Sequence, residues 1–186
     1  TEHEFYIIHK NKNFDKNNIE YSKKFKFLYA PNNNFFDKIS ENLKRHFIAS
    51  PFFSKFKGPI ERLAKKNKLD MVWFVSGYYY ESMDIPYIAT VFDLQHRTQP
   101  WFPEINYSGE WATRELNYRY FLSRASHIII GTDIGREELQ LFYQIPKFRI
   151  HKLPHPTPSY ILDDDNKNKL FVKKKYNLPD KFIFYP

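Results

Sequence analysis

Short apolar runs alternate with helix-period segments along most of this chain, and that alternation restricts the fold more than any single motif does. The runs at residues 5–9 (FYIIH), 25–29 (FKFLY), 71–75 (MVWFV), 87–92 (YIATVF), 127–131 (HIIIG) and 149–153 read as strands. Phe25, Phe27 and Tyr29 fall at alternate positions, which gives that strand one better-buried face. MVWFV is apolar without alternation, and YIATVF repeats the pattern, as expected of strands covered on both faces. Between the runs, Asn34 heads a helix with the stripe Phe36, Ile39, Leu43 and Phe47, and Pro59 opens a second over residues 59–67. A third helix aligns Trp111, Tyr118, Phe121, Leu122 and Ala125. Thr132-Asp133 caps a fourth, with Ile134, Glu138, Leu141 and Phe142 on one face. Strands that alternate with helices make βαβ units and a mostly parallel sheet, and right-handed crossovers place helices on both of its faces. The expected fold class is α/β, doubly wound.

The 186 residues suffice for one domain, or for one domain and a piece of another. The absence of Cys excludes disulfides and thiolate metal sites. No apolar window is long enough for a transmembrane helix. The net charge of +8 fits a lysine-rich surface, an anionic substrate or an anionic membrane face. Its basic residues are scattered rather than interleaved with aromatics, so nucleic acid is not the expected partner. After Pro154 the composition shifts, and the run His155-Pro-Thr-Pro158 cannot continue a central strand. Residues 1–158 are expected to form one domain. Residues 159–186 are expected to be a linker, with a short helix near 169–176, leading into the first strand (FIFY, 182–185) of a second domain that breaks off at Pro186.

From Pro86 to Pro158 the words PYIATVFDLQHRTQPWFPE and GEWATRELNYRYFLSRASHIIIGTDIGREELQLFYQIPKFRIHKLPHPTP follow one another. In order and content they resemble family 4 glycosyltransferases of the GT-B fold. The resemblance covers residues 70–186 and implies a Rossmann-like acceptor domain, the N-terminal half of a GT-B fold. It implies a retaining, metal-independent transfer from a nucleotide-sugar donor to a glycan or lipid-linked acceptor. It also implies a cytoplasmic enzyme, peripheral on an anionic membrane face, that builds a bacterial surface polysaccharide or glycolipid. No cofactor is expected beyond the nucleotide sugar as co-substrate, and the donor-binding glutamates would lie beyond Pro186. Family members often carry His before the Asp that follows the central strand; here that residue is Phe92. The glycine-rich loop after the first strand is also missing.

Polar groups gathered past the end of a buried strand mark the usual ligand edge of an open α/β sheet. Asp93 and His96 are the catalytic candidates. Asp93 reads as orienting an acceptor hydroxyl or as bracing its loop. A turn would bring His96 against Asp93, whose carboxylate would fix its tautomer; a loop-bracing His is the other reading. Arg97 and Arg114 read as bidentate phosphate binders, or Arg114 as an ion-pair partner of Glu104, Glu110 and Glu115. Trp101, with Phe102 and Trp111, reads as a sugar-stacking lip or as a staple for the long loop. Thr132 opens a helix whose bare N–H groups can meet an anion, with capping the favoured role. By the resemblance, Arg136 faces donor phosphates. Asp163-Asp164-Asp165 has the look of a metal motif but sits in a polar run that reads as a solvated linker. A zinc set from His96, His151 and His155 lacks compact spacing, so no metal is expected.

Overall fold

The computed structural model describes residues 3–15, 22–32, 34–35, 38–39, 57–77, 81, 83–157, 166–179 and 181–183. The chain divides into two compact units, Thr1–Pro154 and His155–Pro186. In the first, β1 (Tyr6–His9) pairs in parallel with β2 (Lys26–Tyr29), with Tyr6 opposite Lys26 and His9 opposite Tyr29. A second parallel sheet runs in the order β3 (Val72–Phe74), β4 (Tyr87–Val91), β5 (His127–Ile130) and β6 (Ile150–Lys152). Helix α1 (Pro59–Lys66) precedes β3. The short α2 (Gln95–Thr98) and α3 (Pro103–Asn106) and the long α4 (Glu110–Arg124) join β4 to β5, and α5 (Asp133–Tyr143) joins β5 to β6. The second unit contains α6 (Asn166–Lys175), with Leu170 and Phe171 exposed.

One face of the larger sheet makes the core. Val72, Phe74, Tyr87, Ala89, Val91, Ile128, Ile130 and Ile150 are buried there with Tyr118, Phe121 and Leu122 of α4 and Leu139 of α5. Tyr87 and Phe121 stack with centroids 4.5 Å apart, and Phe74 meets both edge-on. The Tyr87 hydroxyl would be costly to bury alone. It donates to the Phe121 carbonyl at 2.6 Å, and burial pushes its pKa up, so it stays a donor. Arg149 closes the end of α4, donating from Nη2 to the carbonyls of Leu122 (3.2 Å), Ser123 (3.1 Å) and Ala125. A cation at a helix C-terminus satisfies orphan carbonyls and opposes the helix dipole. Ala30, just past β2, is buried in the same core cluster, which ties the small sheet to it.

The α/β pattern and parallel pairing agree with the sequence. Order among β3–β6 follows the chain, so α4 and α5 lie side by side on one face. The described strands show no reversal of strand order of the kind a doubly wound sheet requires. One expectation needs correction. β3 is not covered on both faces: among the described strands it is an edge strand, and Trp73 is 46% exposed between buried Val72 and Phe74. The Asn34 helix and the Asp163–Asp165 run lie largely or wholly outside the described residues. Phe182 and Ile183 form no strand, and the remainder of that expected strand is likewise outside.

Helix α1 depends on a distant carboxylate. Its N-cap, Gly58, offers no side chain. Instead, fully buried Glu81 accepts from the backbone N–H groups of Ile60 (3.0 Å) and Glu61 (2.8 Å). An anion there is doubly favoured, by the orphan donors and by the helix dipole. A Cβ on residue 58 would fall 2.2 Å from Glu81 Cδ. Gly58→Ala would therefore displace the carboxylate. Gly58→Ala and Glu81→Ala are each expected to cost about 1–2 kcal/mol in urea unfolding. The double variant should cost clearly less than the sum, because removing Glu81 vacates the space that the new methyl needs.

Candidate functional site

Because β3–β6 are parallel, their carboxyl ends share one edge of the sheet, and the sequence candidates gather there. β4 ends at Val91, and Asp93 follows two residues later. Its Oδ1 accepts from the Gln95 backbone N–H at 3.0 Å, an Asx-type brace that starts α2, and lies 3.3 Å from Arg114 Nη1. Arg114 also donates from Nε to Glu110 Oε1 at 2.6 Å, one helical turn back on α4. Burial lowers the Arg114 pKa, but Glu110 and Asp93 outweigh it and raise the net value. On α5, half-buried Glu138 sits in the field of Asp93; burial first and that negative charge second push its carboxyl up. Asp93, Glu110, Arg114 and Glu138 thus form a partly open acidic and basic group past the central strand.

His96 behaves differently from what its spacing suggests. It does not bond to Asp93. Short α2 turns it inward, where it is fully buried, with its ring edge-on to Tyr118. Its Nε2 lies 2.8 Å from the Tyr143 hydroxyl, and that hydroxyl donates to Glu115 Oε2 at 2.8 Å. The single Tyr143 proton is committed to the carboxylate, so His96 Nε2 must carry the hydrogen that points at Tyr143. Nδ1 is then the bare nitrogen, buried and without a hydrogen-bond partner. Burial, above all, lowers the His96 pKa and keeps the ring neutral. Glu115 is 5% exposed. Burial raises its pKa, but Arg119, Tyr143 and Arg97 outweigh that and hold it below the ordinary value. Arg119 Nε is 2.5 Å and Arg97 Nη1 3.4 Å from Glu115 Oε1. The Arg97 guanidinium also lies over the Phe142 ring at 5.1 Å.

The remaining candidates fall into place around these. Thr132 is the N-cap of α5, its Oγ1 accepting from the Gly135 N–H at 3.0 Å. Gly135 permits that turn because a Cβ would meet Ile130 Cδ1 at 2.6 Å. Arg136 pairs with Asp133 at 2.5 Å, and Lys152 bonds the other oxygen of Asp133. Trp101 is 67% exposed, edge-on to Phe102. It therefore does not staple the loop; buried Ile105 of α3 anchors that segment instead. His96 and His151 are not brought together. Among the described residues no group of three or more His, Asp or Glu could hold a metal ion, and no helix is long and apolar enough to cross a membrane.

Sequence reasoning missed the roles of Tyr143 and Glu138. The Glu110–Arg114 and Glu115–Arg119 pairs were readable as i,i+4 spacings, whereas the two α5 residues reach the site only through the crossover. In comparisons with known proteins, no family model and no curated protein matches the chain.

Two expectations follow from the buried network. Tyr143→Phe keeps the ring but removes the hydroxyl that joins Glu115 Oε2 to the His96 N–H, and should lower unfolding stability by about 1–3 kcal/mol. The His96 contribution also carries a pH signature. The folded pKa lies below the ordinary 6.5, so the contribution is complete above that value. It declines as pH falls below 6.5, because the unfolded chain takes up a proton that the folded chain resists. His96→Gln should flatten the fall in stability on acidification below pH 6.5, measured by urea titration at successive pH values.

Proposed function

We propose that this chain is the acceptor-binding part of a nucleotide-sugar-dependent glycosyltransferase, a Rossmann-like, doubly wound half of a GT-B fold. It would act by a retaining, metal-independent transfer on a glycan or lipid-linked acceptor at an anionic membrane face in the cytoplasm. The observation that carries this reading is the Asp93–Arg114–Glu138 group at the carboxyl end of the central parallel strand, where such sheets seat their ligands. Asp93 Oδ1 is held by Gln95 N–H and Arg114, which leaves Oδ2 to accept an acceptor hydroxyl. In the transfer, the acceptor oxygen bonds to the anomeric carbon while the sugar–phosphate bond breaks, the diphosphate departs with that electron pair, and the acceptor hydroxyl's proton passes to the departing diphosphate oxygen. Fixed cationic and N–H donors would stabilise that charge. Arg136, by the resemblance, would be one of them, after exchanging Asp133 for phosphate. His96, its tautomer set by Tyr143 and Glu115, holds α2 and so the Asp93 turn in place.

The enclosure of His96 and the internal pairing of Arg97, Arg136 and Thr132 favour a second reading. In it, the chain is a doubly wound module that binds a glycan or phosphate group without turnover.

A panel of nucleotide sugars separates the two, using this chain and any longer polypeptide that contains it, with nucleotide release as the readout. Under the first reading at least one donor is consumed, and Asp93→Ala lowers turnover about 100-fold or more. If no donor is bound, transferred or hydrolysed, the enzyme reading fails. Glycan binding without nucleotide release supports the module.

A further inference from the structure

The sheet face turned away from α4 and α5 carries Trp73, Ile88, Thr90, His127, Ile129 and His151. The register fixes this set: Trp73 lies opposite Ile88 and Ile88 opposite His127, while Thr90 lies opposite Ile129 and Ile129 opposite His151. The two histidines are diagonal neighbours on adjacent strands. His151 is exposed and His127 half-buried, and their ring centroids are 4.8 Å apart. His127 Nδ1 and His151 Nε2 face each other at 2.9 Å. The neighbouring Lys152 projects to the opposite face, where it meets Asp133.

We propose that His127 and His151 form a two-nitrogen chelating site for a divalent transition-metal ion of the copper(II) or nickel(II) class. Metal–imidazole bonds of about 2.0–2.1 Å set at a right angle hold the two nitrogens about 2.9 Å apart, whereas a tetrahedral opening holds them about 3.3 Å apart. The observed separation matches neighbouring corners of a tetragonal ion, the geometry that copper(II) and nickel(II) adopt with nitrogen and oxygen ligands. In the metal-free protein, one proton bridges the two rings. On binding, it moves to the outer nitrogen of its own ring, and both inward nitrogens present lone pairs to the ion. Solvent occupies the remaining corners, since His151 opens to water. The site lies on the sheet face turned away from α4 and α5, and stands whether or not the chain is an enzyme.

Copper(II) and nickel(II) salts titrated into the protein test the site by calorimetry and, for copper, by electron paramagnetic resonance. The expected result is one bound ion with imidazole nitrogen couplings from two rings. Losing a ligand costs at least as much as losing its outer-shell support, so His127→Ala or His151→Ala should weaken that ion about 10–100-fold or more. His155→Ala should leave it unchanged. His151→Gln, at an exposed position and checked by circular dichroism, guards against a folding defect. The proposal is overturned if the protein retains no ion. It is equally overturned if the double variant His127→Ala/His151→Ala binds as the parent does.

Discussion

Two parallel strands cannot be joined by a tight turn, and the rest of this molecule depends on that geometric fact. β4 and β5 pair in parallel from Ile88 opposite His127 to Val91 opposite Ile130. The chain must therefore leave β4 at its carboxyl end, cross the sheet and re-enter at the other end. α4 makes that crossing, and its apolar side, led by Tyr118, Phe121 and Leu122, covers the core face. The same rule repeated for β5 and β6 places α5 beside it. Every exit from the sheet then opens on one edge. Asp93, Thr132 and Asp133 each follow a strand end on that edge, although 39 or 40 residues separate the first from the other two.

That edge holds two polar groups of different character. Around Asp93 and Arg114 the side chains are half in water and their charges respond to one another, as a binding surface requires. Around His96 the carboxylate of Glu115 is surrounded by Tyr143, Arg119 and Arg97, and the hydrogen bonds run inward. An inward network of this kind links α2, α4 and α5 through Tyr143 and Glu115, and leaves His96 Nδ1 as its one bare atom among these residues. The proposed transfer and the enclosed histidine thus pull in different directions. Turnover or its absence decides between them.

Much of the architecture was legible because β-branched and aromatic runs mark strands and a 3.6-residue stripe marks helices. β1, β4, β5 and β6 fall within their expected runs, and α1 and α4 begin and end close to their expected limits. Trp73 was misread because exposure at a sheet edge depends on how many strands stand beside it, which the run itself does not encode. The site was legible only where contacts are local. Glu110–Arg114 and Glu115–Arg119 are spaced by one helical turn, but Tyr143 reaches Glu115 from the next helix. Asp93 and His96, only three residues apart, face different ways because the chain becomes helical between them at Gln95.

The seat of Glu81 at the head of α1 has an evolutionary consequence. Residues 58 and 81 compete for one volume of a few ångströms, so neither can drift alone. A lineage that acquired a side chain at 58 would first need a shorter residue at 81, and would then need a new capping group, such as Ser or Asp, at 58 itself. Substitutions at the two positions should arise in pairs among this chain's descendants.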